Sequence, residues 1–281
     1  MLLASLALAL TLAPVGAPAS PAPGGPRPKP TVVDVVAREY AFTMPDSIPA
    51  GLVTIQLRNE GKQLHHFWMV RLTEGRTFAD LMSHLKAHPE QMPAWAVNIG
   101  GPQPPAPGGS SNATLLLTPG RYAVLCVVPG PDGVPHVAKG MSHPLAVTES
   151  AAERVATEAA AGMKPDLQVR LVDYGFEFSK PLSAGEHTIR VQNDASQFHE
   201  IVIFKLLPGK SLADALTWVE KQQGPPPLLP VGGITGLDKG QHALMQERFT
   251  PGEYAVVCFL PDAKDGKPHF THGMATQLKV E

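Results

Sequence analysis

Cysteine is nearly absent from this chain of 281 residues: there are two, Cys126 and Cys258. That count excludes a scaffold built on disulfides. Excess charge of either sign is missing too, with 23 Lys plus Arg against 25 Asp plus Glu, so there is no basic footprint for nucleic acid or an anionic membrane. Aromatic residues make up only 6%, while Gly (26) and Pro (30) are plentiful, a balance that suits strands and turns better than a helical bundle. At this length two domains of ordinary size are expected.

The N-terminal apolar run, Leu2 to Leu12, is shorter than the roughly 18 residues a membrane span needs. Followed by Ala17-Pro18-Ala19, it reads as a secretory signal peptide over residues 1–19, although no Lys or Arg precedes it. Residues 20–30, "SPAPGGPRPKP", form a Pro-rich spacer. The mature chain is thus expected in the periplasm or outside the cell, without a transmembrane anchor.

The rest of the chain repeats. Tyr40-Ala41-Phe42 is answered by Tyr174-Gly175-Phe176, and Asn59 and His65 by Asn193 and His199, all at an offset of 134 (199 minus 65). Pro119-Gly120-Arg121-Tyr122 is answered by Pro251-Gly252-Glu253-Tyr254 at 132 (251 minus 119). The shifts in offset fall in Pro/Gly-rich loops, where insertions are tolerated. An Ala/Glu-rich stretch, 150–165, reads as a helical linker between a first domain (31–149) and a second (166–281). Alternating segments such as "GLVTIQLRN" and "YAVVCFL" predict strands. Phe78, Leu81, Met82 and Leu85, and then Leu212, Ala215, Leu216 and Val219, predict one amphipathic helix per half, each preceded by a capping box (Thr77 to Asp80, Ser211 to Asp214). Two β-sandwiches, each with a helical insertion, are the simplest outcome.

Four residue types recur in order. His65, Cys126, His136 and Met141 in the first half match His199, Cys258, His269 and Met274 in the second. One thiolate, two imidazoles and a thioether are the donors of a blue-copper site, where soft sulfur and borderline nitrogen hold the metal in a constrained geometry. Each type alone has an ordinary explanation: Cys in an apolar strand as core, Met as filler, His after Pro as loop. A Cys126–Cys258 disulfide fits poorly, because matched positions in separate sandwiches would lie too far apart. Their joint recurrence favours a metal. Alternation along the strand puts His65 with Phe67 and Met69, so His65 is taken as the ligand and His66 as a surface residue or one beside the ligand. His84, His88, His187, His242, His143 and His272 lack matched partners and receive no role, nor does the sequon at Asn112.

At these residues the chain resembles the cupredoxin family, the plastocyanin and azurin group, twice over. The resemblance implies all-β tandem Greek-key sandwiches, copper near one end of each, and single-electron transfer with a redox partner protein. Two departures stand out. The Cys-to-His loop is longer than in plastocyanin or azurin, and the position after the first His, commonly Asn in the blue proteins, is His66 or Glu200. Two-domain relatives also include nitrite reductases and small laccases, whose second copper centre uses His-x-His and His-Cys-His sequences. Neither occurs here, so an enzyme is not expected. A copper carrier or store exchanging copper with a donor or acceptor, and a metal-free structural tandem, are the other readings.

Overall fold

Seventeen strands and two helices fill residues 29–89, 91–150 and 164–281, the parts that the computed structural model describes. The signal peptide, almost all of the spacer and most of the expected linker helix lie outside these residues.

In the first half, β1 (Thr31–Arg38), β2 (Ala41–Thr43), β4 (Gly51–Asn59) and β7 (Ser110–Leu117) form one layer. The other contains β3 (Ser47–Pro49), β5 (Trp68–Leu72), β6 (Ala96–Gly100), β8 (Gly120–Leu125) and β9 (Ser142–Thr148). The second half repeats the plan. Its layers are β10 (Leu167–Val172), β11 (Gly175–Phe178), β12 (Gly185–Asn193) and β15 (His242–Phe249), and β13 (His199–Leu206), β14 (Leu228–Leu237), β16 (Gly252–Val257) and β17 (Ala275–Val280). The chain crosses between layers after β2, β3, β4, β6 and β7 and again after β12, β14 and β15, as the expected Greek-key sandwich requires. Apolar residues alternate inward, as at Val33, Val35 and Ala37 in β1.

The helices form where the pattern places them. Helix α1 (Phe78–Ala87) and helix α2 (Leu212–Lys221) both start with a complete capping box, on Thr77 and Ser211, satisfying backbone N–H groups that the first turn cannot pair internally.

The two halves are not separate sandwiches. The edge strand β7 pairs with β15, and β6 with β14, so each layer runs without a break through both halves. An edge strand exposes unpaired backbone groups, and here the edges of the two halves cover one another. Across this junction the Asn112 side chain bonds both ways with the Gln246 backbone, its Nδ2 donating to Gln246 O at 2.8 Å and its Oδ1 accepting the Gln246 N–H at 2.9 Å. Trp68 stacks on Phe198 with 6.3 Å between centroids, and one apolar cluster includes residues of both halves.

Candidate metal centres

Each site is assembled by two features that differ in sequence distance. The Cys follows directly on a central strand, β8 or β16, and the chain then turns back to it through a short 3-10 turn, His136–Lys139 or His269–His272. Cys126 N–H donates to Met141 O at 3.1 Å and Met141 N–H to His136 O at 2.9 Å; the Cys258, Met274 and His269 backbones make the same bonds, both at 3.1 Å. Gly140 and Gly273 take the left-handed conformation that ends each turn and brings Met in behind it, at φ 99° and 102°. The extra length of the Cys-to-His loops does not separate the ligands. Each loop is pinched at its neck by a bridge, Pro129 with Pro135 and Pro261 with Pro268, and the surplus residues project as a side arch.

The remaining His comes from the other direction. Asn59 braces the segment leading to His65, its Nδ2 donating to Gln63 O at 2.8 Å and its Oδ1 accepting from Gly61 N–H at 2.9 Å. Asn193 does the same before His199.

The outcome is two groups, His65/Cys126/His136 and His199/Cys258/His269, whose ligand atoms lie within 4.8 Å of one another. The Nδ1 atoms of His65 and His136 are 3.1 Å apart, and those of His199 and His269 are 3.0 Å apart. Cys126 Sγ is 3.5 Å from His136 Nδ1, and Cys258 Sγ is 3.3 Å from His269 Nδ1. All six residues are wholly buried, as are Met141 and Met274. Neither Cys is in a disulfide.

Two imidazole nitrogens and a sulfur aimed at one point, with water excluded, suit a soft-to-borderline metal such as copper. The metal-free electrostatics agree. Burial pushes the Cys126 thiol up to about 12 and raises Cys258 well above the ordinary thiol range, while burial and the neighbouring ring hold His136 and His269 down to about 4. The imidazoles are therefore neutral and able to donate, and a bound cation would offset the cost of the thiolate.

The outer ring nitrogens face carboxylates or amides; those of His199 and His136 are hydrogen-bonded, which orients the two rings, and those of His65 and His269 have a carboxylate nearby but no hydrogen bond. Nε2 of His65 lies 3.6 Å from Glu39 Oε1, and Nε2 of His199 lies 3.3 Å from Asp173 Oδ1. His136 Nε2 pairs with Gln63 Oε1 at 3.0 Å, whereas His269 Nε2 lies 3.9 Å from Asp262 Oδ2. The sequence analysis missed these partners, but the matched acids before Tyr40 and Tyr174, and the matched Gln63 and Gln197, were available as signals.

His66 is not a surface residue. It is buried, and its Nε2 accepts the N–H of Val127 at 2.8 Å, just beyond Cys126; Glu200 Oε1 accepts from Phe259 N–H at 3.1 Å in the second half. The residues that depart from the family's usual Asn therefore still tie the His segment to the Cys segment. Of the histidines given no role, His187 pairs with Asp166 at 2.6 Å and His143 with Asp46 at 3.1 Å. His272 belongs to a third acidic group with Asp262 and Asp265, partly open to solvent.

No protein-family model matches the chain, and no curated protein does either. Solved structures do. Dithionite-reduced auracyanin from Roseiflexus castenholzii is 23% identical over 42% of this chain and 97% of its own, with a TM-score of 0.31. A multicopper oxidase is 14% identical over 89% of this chain and 88% of its own (TM-score 0.26). A copper-containing nitrite reductase from Thermus scotoductus is 14% identical over 89% of this chain and 61% of its own (TM-score 0.24). The two His/Cys/His groups formed in space correct the expectation that the chain is not an enzyme. That expectation rested on ligands adjacent in sequence, whereas here the fold gathers them from distant segments. Two Greek-key β-sandwiches, joined edge to edge through both layers and each enclosing a group suited to copper, make up the described chain.

Proposed function

We propose that the chain binds one copper through His65, Cys126, His136 and Met141 and a second through His199, Cys258, His269 and Met274, and passes single electrons to and from a redox partner protein. The reading is carried by the paired Nδ1 atoms facing each other beside a buried sulfur in both halves. Bound copper would supply the one-electron couple. The chain's own part is to hold the donors in place: backbone bonds tie Cys to Met and to the His turn, and Asp173 and Gln63 fix the rings of His199 and His136. A site held in this way rearranges little between oxidation states, which favours rapid exchange.

We place this work in the periplasm or outside the cell, following the reading of residues 1–19. Among the described residues no helix is long and apolar enough to cross a membrane.

Titration of the reduced, metal-free protein with Cu(II), recording visible absorption and metal content together, tests the reading. Intense thiolate-to-copper absorption should saturate at one equivalent per His/Cys/His group, with Cys126→Ala and Cys258→Ala each removing one contribution. Retention of both contributions in either variant rejects the ligand assignment. Catalytic consumption of oxygen or nitrite by the loaded protein would replace electron carriage with an enzymatic role, and slow electron exchange with ready copper release would favour a carrier.

A further inference from the structure

The groups that tie each His segment to its Cys segment do not end there. His66 and Glu200 are equivalent positions (200 minus 66 is 134), and both turn toward the junction between halves. His66 accepts the Val127 N–H through Nε2, which leaves the proton of the neutral ring on Nδ1, and the Gln103 side chain hydrogen-bonds to the same ring. Gln103 Nε2 in turn donates to Glu200 Oε2 at 2.7 Å, and Glu200 Oε1 accepts the Phe259 N–H at 3.1 Å. Gln103, His66 and Glu200 are 2%, 5% and 5% exposed, so the whole line is shielded from water.

Gln103 is held in this position by its surroundings. Its N–H donates to Gly233 O at 3.2 Å and its carbonyl accepts from Ser111 Oγ at 2.6 Å. A Cβ at Gly233 would lie 3.1 Å from Gln103 Cγ and only 1.9 Å from Ile201 O, so the side chain passes through space that only glycine leaves open.

We infer that Val127, His66, Gln103, Glu200 and Phe259 form an internal relay through which the two metal sites exchange electrons. It runs from the peptide after Cys126 to the peptide after Cys258 through covalent bonds and direct hydrogen bonds, with no water step. Electronic coupling decays less steeply along such bonds than across van der Waals gaps. One electron leaves the reduced site as the other accepts it, so the exchange needs no further reactant. A packed interface without this relay would require only apolar contacts, and a polar line is costly to bury unless every member is paired, as here. This inference rests on the proposed copper sites.

The experiment uses the full-length chain loaded with copper at both sites, partly reduced by a pulse-generated one-electron radical, and follows the two absorption bands as they equilibrate at several protein concentrations. Gln103→Met removes both polar ends at similar length, and Gln103→Asn keeps the amide but shortens it. Thr235→Val is the control: its Oγ1 reaches Gly101 O across the same junction but lies outside the relay. The concentration-independent phase should slow several-fold in both Gln103 variants, with their copper bands retained, and keep its rate in Thr235→Val. A second readout needs no electron transfer: with Cys258→Ser and diamagnetic Cu(I) in the first site, the Phe259 amide resonance should shift on loading, and the shift should vanish when Gln103→Met is added. Copper bands retained with an unchanged rate in the Gln103 variants overturn the relay and leave the copper sites standing, as does equal slowing in Thr235→Val. Absence of bands in the wild-type chain overturns both.

Discussion

Nε2 of His66 accepts the backbone N–H of Val127 at 2.8 Å, which fixes the peptide following Cys126 to the segment that carries His65. His66→Ala leaves that buried donor without a partner, which costs about 1–3 kcal/mol. Urea unfolding of the metal-free protein should show a loss of this size, and His66→Asn, which can still accept a bond, should lose less. Equal stability of Ala and Asn variants would count against the hydrogen bond as the cause.

Gly101 and Gly233 sit where strands of the two halves meet. Their φ values are 151° and 135°, and a Cβ on either would lie 1.9 Å from a carbonyl oxygen, that of Phe67 or Ile201. Backbone strain alone costs on the order of 1–3 kcal/mol for a non-glycine residue, and the clash with rigid backbone adds to it. Gly101→Ala and Gly233→Ala should each lower the unfolding midpoint strongly, while Gly75→Ala, at φ 73° with open space around its Cβ position, should show only the conformational part. Similar midpoints for all three would remove the steric account.

The repeat made much of this legible. Capping boxes at Thr77 and Ser211 and the recurrence of His, Cys, His and Met depend on short-range spacing, which a sequence displays directly. Fusion of the two sandwiches does not: it depends on edge strands β6 and β14 finding each other over more than a hundred residues, and nothing in either strand alone announces a partner. The burial of His66 followed from the same omission. Strand alternation sends it away from the first core, and in an isolated sandwich that face would meet water. In the fused molecule it meets Gln103, a residue whose counterpart by the matched pairs Gly100-Gly101 and Gly232-Gly233 is Thr235 (235 minus 103 is 132), so the repeat could not reveal it.

Stability of the metal-free protein should depend on pH in two opposing ways. Burial and the adjacent ring hold His136 and His269 down to about 4, against 6.5 when unperturbed. Between those values the unfolded chain binds protons that the folded chain refuses, so stability falls as pH drops, by at most about 1.4 kcal/mol per pH unit for each ring. Burial raises Glu200 to about 7, so over the range above its ordinary value the folded chain holds the extra proton and stability is lost as pH rises. Glu200→Gln removes the second dependence alone. Measured by urea unfolding, its stability relative to wild type should increase from pH 5 to pH 8; a constant difference would contradict the burial of an ionisable Glu200.

The two sites should differ in reduction potential, with the second lower. Around it stand Asp173, 3.3 Å from His199 Nε2, and Asp262, 3.9 Å from His269 Nε2, with Glu200 where the first half has His66. The first site has Glu39, 3.6 Å from His65 Nε2, but the amide of Gln63 takes the other ring, and the Lys139 ammonium lies over Tyr40, whose ring packs edge-on against His136. Negative charge in a buried setting favours the more positive, oxidised metal, and cation charge opposes it. Redox titration of copper-loaded Cys258→Ser reads the first site and Cys126→Ser the second. The gap should widen as pH rises through 7, where Glu200 ionises, and Asp262→Asn should narrow it by raising the second potential. An inverted order would show that some other feature of the ligand sphere outweighs these charges.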